Sequence, residues 1–171
     1  MQYNLHPLFV HFPVAMLFVY SIIKILPTER WFPTVAWKHI ERALLVFGVA
    51  GAFLALATGD TAEHLSTASR PLIEMHSTFA GLATALYGAL LAGEFLNVVN
   101  PMLVPKIKNT TLVSLLTWLE KILTNKIFSI VLATLALIAI TVTGLLGGVI
   151  VYGVSADPMA GIVVKMLGLS L

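Results

Sequence analysis

The sequence predicts an all-α integral membrane protein: an up-and-down four-helix bundle with an amphipathic interfacial helix between its third and fourth spans. Three observations carry this. Of 171 residues, 58% are hydrophobic and 11% charged, whereas a soluble domain carries about a quarter charged residues. The mean hydropathy is +0.96. Four separate runs reach the roughly 20 apolar residues that cross the hydrocarbon of a bilayer. The length suits one membrane domain over residues 1–171.

The first predicted span, 8–26, stops at Pro27, and the "TERWFP" that follows has the composition of a turn. The second and third spans cover 43–59 and 77–98. Between the third and fourth, "NPMLVPKIKNTTLVSLLTWLEKILTNK" sets Leu112, Leu115, Leu116, Leu119 and Ile122 at helical spacing beside Glu120 and Lys121, the pattern of a helix lying along the membrane surface. The fourth span is 127–152. The tail after Asp157, "PMAGIVVKMLGLSL", is too short to span and is expected at the interface. The first residues lack the basic start and small-residue cleavage site of a signal peptide, so the first run is expected to be retained.

Lysine and arginine predict the orientation. Lys24, Arg30, Lys38, Arg42, Lys106, Lys108, Lys121 and Lys126 fall on the side of the 1–2 and 3–4 connections, and Arg70 and Lys165 on the other. The positive-inside rule then puts both termini outside a prokaryotic plasma membrane, with Trp31, Trp37 and Trp118 as interface anchors on the basic side. The net charge of +2 therefore reflects topology signals, and no nucleic-acid module is recognisable.

The stretch "HPLFVHFP" opens the first span with two histidines. In this topology His6, His11, His64 and His76 all lie at the outer end with Asp60, Glu63, Glu74 and Asp157, while His39 goes to the cytoplasmic side. Cysteine is absent, which excludes disulfides, thiolate metal sites and covalent haem attachment and leaves histidine and carboxylate to carry any chemistry. Ionisable groups at membrane depth are costly and mark functional sites, although interfacial imidazoles can also simply be hydrated. His6 and His11 are about 140° apart on a helix and are expected to serve different partners. Asp60 and His64, four apart, are expected to face the same way as a carboxylate-oriented imidazole.

Spans 1 and 3 can be diagonal neighbours, roughly 11–14 Å apart, which leaves room for two imidazoles on opposite faces of one iron. His11 and His76 are the expected axial pair of a haem b, with His6 and His64 available for a second. Ala15, Ala55, Thr58, Gly59, Ala80, Gly81, Ala83, Gly144, Gly147 and Gly148 supply small residues near that level, either for a flat macrocycle or for ordinary helix packing. The function expected is that of an electron-transfer subunit rather than a stand-alone enzyme, because bis-histidine ligation fills both axial positions. Expected partners are the lipid bilayer, a periplasmic or extracellular redox protein or quinone, and other membrane subunits. Two alternatives stay open. One is a non-haem zinc, copper or iron site built from the same histidines with Asp60, Glu63 or Glu74; the other is a structural subunit of a larger membrane complex.

At "HPLFVHFPVAMLF", "ATGDTAEHL", "EMHSTFAGL" and "TGLLGGVIVYG", the chain resembles the predicted bacterial and archaeal membrane proteins grouped as domain of unknown function 2231. The likeness covers most of residues 5–155 and points to His6, His11, His76, Gly147, Gly148, Val151 and Tyr152. Members commonly follow Val-Tyr with a charged residue and then His-Gly; here "VYGVSAD" provides no histidine from the fourth span. The family's shape is similar to that of the four-helix di-haem cytochromes b, which is analogy at the level of fold.

Overall fold

A computed structural model describes residues 6–156 and 158–169. Asp157 lies outside the described residues. Four helices are long and apolar enough to cross a membrane: α1 (His6–Ile25), α3 (Trp37–His64), α4 (Arg70–Leu103) and α6 (Lys126–Tyr152). Between α1 and α3, "TERW" forms a one-turn helix, α2 (Thr28–Trp31), where a turn was expected. The interfacial helix is α5 (Thr110–Leu123), and the tail carries α7 (Ala160–Met166).

The second and third spans are longer than their apolar cores. At 28 and 34 residues, α3 and α4 measure about 42 and 51 Å, against roughly 30 Å of hydrocarbon. Hydropathy marks only the lipid-buried part, while backbone hydrogen bonding carries each helix on into the interface. One consequence bears on the site: α4 begins at Arg70, so His76 lies about 9 Å inside that helix rather than at its head.

Packing contacts join α1 to α3, α3 to α4, α4 to α6 and α6 to α1, which leaves α1 and α4 on a diagonal, as the sequence predicted for spans 1 and 3. In a bilayer, apolar surface gains little by turning inward, so close packing and interhelical hydrogen bonds must hold the helices together. On α6 a stripe of Ser129, Ala133, Ala136, Ile140 and Thr143 is buried. At Gly48 of α3, a β-carbon would come 2.6 Å from Leu17 Cδ2, and one at Gly51 would lie 3.2 Å from Pro13. These two glycines let α1, with its internal proline, approach α3 closely.

The apolar core of the bundle holds a polar contact between diagonal helices. Tyr87 of α4 donates across the diagonal to the carbonyl of Leu17 at 3.1 Å, and its hydroxyl oxygen lies 2.7 Å from Ser21 Oγ. Because the single phenolic proton goes to Leu17, Ser21 is the donor in the second bond. Tyr20 packs edge-on to Tyr87, with ring centroids 6.1 Å apart.

Helix α5 is capped by Asn109, whose Oδ1 accepts from the Leu112 amide. Asn100 of α4 holds α5 by donating to Glu120 at 2.6 Å and to the carbonyl of Leu116. Leu112, Leu115 and Trp118 stay exposed, while Leu116, Leu119 and Ile122 are half-buried. The tail helix α7 buries Ala160 and Val164 in a cluster with Leu72, Leu146 and Val149, which seats it on the α4–α6 pair at the histidine end.

Candidate functional site

Two of the four outer histidines turn inward. His76 is half-buried and its Nδ1 lies 3.0 Å from the carbonyl oxygen of Thr143 on α6. A carbonyl only accepts, so Nδ1 carries the proton and the basic lone pair resides on Nε2. The ring fits there because residue 147 is glycine: a β-carbon at Gly147 would approach His76 Cε1 to 3.2 Å. Thr143 turns its own hydroxyl to the Ala139 carbonyl at 2.8 Å, which leaves its backbone oxygen to orient the imidazole.

His6 is also half-buried, at the start of α1. Its Nδ1 lies 3.0 Å from Thr58 Oγ1 on α3. The Thr58 hydroxyl is within donating distance of the Ala55 and Leu54 carbonyls at 3.0 and 3.2 Å. The Thr58 hydroxyl orients the His6 ring, and either atom can be the donor in that bond. His6 also interacts with the backbone of Ala55. His6 and His76 sit on the two diagonal helices, α1 and α4.

The other two histidines lie elsewhere. His11, expected to face His76, is exposed on α1, and its Nδ1 hydrogen-bonds to the carbonyl of Pro7 one turn earlier. It shares that outer surface with Leu8 and Phe12. Because His6 and His11 are about 140° apart, turning His6 inward carries His11 outward. His64 is the exposed last residue of α3. No hydrogen bond or ion pair joins it to Asp60 among the described residues, although the two are one turn apart. Glu74 pairs with Arg70 at 3.0 Å on the exposed surface, and Glu63 is exposed.

The small residues divide in the same way. Gly147 lies under His76, whereas a β-carbon at Gly59, Gly81, Gly144 or Gly148 would meet nothing within 4 Å. The glycines that mediate packing are Gly48, Gly51 and Gly93, none of which stood out in the sequence. Also missed was the Ser21–Tyr87 pair; hydroxyls in the middle of apolar spans were the available signal.

Chemically, each imidazole is oriented by an oxygen of another helix, and His76 is held in the Nδ1-protonated tautomer by a carbonyl that only accepts. A hydrogen bond from the second ring nitrogen is how metal-binding histidines are aligned and made more basic. Among the described residues no group of three or more His, Asp or Glu could hold a metal ion. Haem iron takes two axial side chains from protein, whereas zinc, copper and non-haem iron take three or more.

The family model described as predicted membrane protein (DUF2231) matches residues 2–157. No curated protein and no solved structure matches the chain.

Proposed function

The chain belongs to this family of predicted membrane proteins, and on that premise we propose that it is a b-type haem-binding subunit that carries electrons near the outer face of a prokaryotic plasma membrane. The proposed axial pair is His6 and His76. It replaces the pair His11 and His76 that the sequence favoured, because His11 faces out of the bundle. One observation supports the reading: His76 donates from Nδ1 to the Thr143 carbonyl at 3.0 Å, over Gly147, which leaves its basic lone pair on Nε2.

A bound haem would supply one-electron transfer, with both axial positions filled by protein. The chain's own part is to hold the ligands. Thr143 and Thr58 fix the two ring orientations, Gly147 provides clearance for His76, and the apolar contacts of Phe79 and Ala83 below separate the site from the tyrosine pair. A periplasmic or extracellular redox protein, or a quinone, would meet the site at that end, and other membrane subunits would adjoin the lipid-facing helices.

A second reading has an observation of its own. The His6–Thr58 bond joins α1 to α3 and the His76–Thr143 bond joins α4 to α6, and buried imidazoles commonly tie membrane helices together. On that reading the protein is a structural subunit and the rings bind no cofactor.

A dithionite-reduced minus oxidised spectrum with a pyridine haemochrome count, on protein purified from haem-sufficient cells, separates the two. The haem reading expects a b-type α band that disappears in His6→Ala and in His76→Ala and persists in His11→Ala and His64→Ala. A colourless wild type overturns it and leaves the structural reading.

A further inference from the structure

At the opposite, basic end of the bundle lies a cavity of about 550 Å³ between α1, α2, α3, α4 and α6, within the roughly 300–1,000 Å³ of small-molecule sites. Five cations line it against three carboxylates. Two of the cations are paired inside the wall, Lys24 with Glu41 at 3.0 Å and Arg42 with Glu94 at 3.1 Å. The other three, Arg30, Lys38 and Lys126, form no ion pair among the described residues, and Glu29 is the one remaining carboxylate of that lining. Arg42 adds a buried Nε with no acceptor. Topology signals need only fall on the correct side of the membrane. Nothing in that role requires cations from three separate segments to converge on one cavity.

The rest of the wall points to the source of the complementary anion. Leu26 lines the cavity and is 41% exposed. Beside the lining Lys126, Ile127 is 75% exposed. The cationic cavity is thus bordered by exposed apolar side chains that suit hydrocarbon. We infer that it binds the phosphate-bearing headgroup of an anionic lipid, with Arg30, Lys38 and Lys126 around the phosphate and an acyl chain running along Leu26 and Ile127. The shared chemistry is a phosphorylated anion; the apolar lip favours a lipid over a free solute. The inference is independent of the haem reading.

The test uses full-length protein in neutral detergent, titrated with short-chain phosphatidylglycerol, short-chain phosphatidylcholine or inorganic phosphate and followed by native mass spectrometry. Phosphatidylglycerol is expected to bind more tightly than either comparator. The triple variant Arg30→Ala, Lys38→Ala, Lys126→Ala is expected to weaken its binding by more than about tenfold, since each cation beside an anionic surface is worth roughly fivefold. All three side chains are exposed, so the fold should survive, as circular dichroism can verify. The triple variant Lys106→Ala, Lys108→Ala, Lys121→Ala removes the same charge from the same end, away from the cavity, and is expected to change binding by less than about threefold. Equal weakening by both triples would reduce the effect to diffuse surface attraction and overturn the site. Equal affinity for phosphatidylcholine would do the same. Displacement of phosphatidylglycerol by an equal concentration of inorganic phosphate would overturn the lipid assignment in favour of a soluble phosphorylated ligand.

Discussion

Tyr87, Ser21, His6 and His76 act through hydrogen bonds that cross between helices. Tyr87 is the clearest case, fully buried and bonded to both Leu17 and Ser21 of the diagonal helix. Tyr87→Phe removes both bonds, but Ser21 can turn its hydroxyl to the Leu17 carbonyl one turn back. The expected loss is therefore only about 1 kcal/mol, in line with single interhelical bonds in membranes, measured by unfolding in mixed micelles. Ser21→Ala should cost less, since Tyr87 keeps its bond to Leu17, and the double variant should fall short of the sum of the two. At the histidine end the Thr143 carbonyl selects the tautomer of His76. Which imidazole serves which partner depends on rotations of α1 and α4 that cannot be deduced from the spacing of His6, His11 and His76.

Among whole helices, the contact between α1 and α3 depends on missing side chains. Gly48→Val would drive a branched side chain into Leu17, which is 1% exposed, at a point where the distance to a β-carbon is already 2.6 Å. A destabilisation of about 1–3 kcal/mol is expected from such overpacking. Gly144→Val is the matched control: nothing lies within 4 Å of its added β-carbon, so the folded monomer should be unaffected beyond the small propensity change. Thermal unfolding of the two variants in one detergent provides the comparison. Helix α5 obeys a different rule. Its apolar positions lie partly against α4 and partly on the exposed surface, so its amphipathic spacing was visible in the sequence while the exposed Leu112, Leu115 and Trp118 await the bilayer.

For the whole molecule, the four spans create two chemically distinct ends. One carries His6 and His76, the other the ion pairs and the cationic cavity. The Lys and Arg distribution predicts, by the positive-inside rule, that the basic end faces the cytoplasm, and the absence of cysteine makes the test simple. A single cysteine at Thr67, exposed in the α3–α4 connection, should react with a membrane-impermeant maleimide in intact cells. One at Lys108, exposed before α5, should react only after permeabilisation. The reverse pattern would place the histidine site inside and remove the periplasmic or extracellular partner from the proposed function.

The sequence by itself determined the membrane class, the number of spans, the amphipathic α5 and the gathering of histidines at one end. Each follows from composition, run length or parity along the chain, which need no knowledge of how helices are rotated. Only the tertiary structure decided that His6 rather than His11 turns into the bundle, that Gly147 and not Gly81 or Gly148 lies against His76, and that five cations share one cavity. The reason is physical: in a bilayer the inward and outward faces of a helix are both apolar, so hydropathy carries no signal for rotation. Rotation is set instead by where glycine permits approach and where a buried hydroxyl or imidazole finds an acceptor on another helix. Those pairings, Thr58 with His6, Thr143 with His76 and Ser21 with Tyr87, lie 52, 67 and 66 residues apart in the chain, and folding alone brings them together.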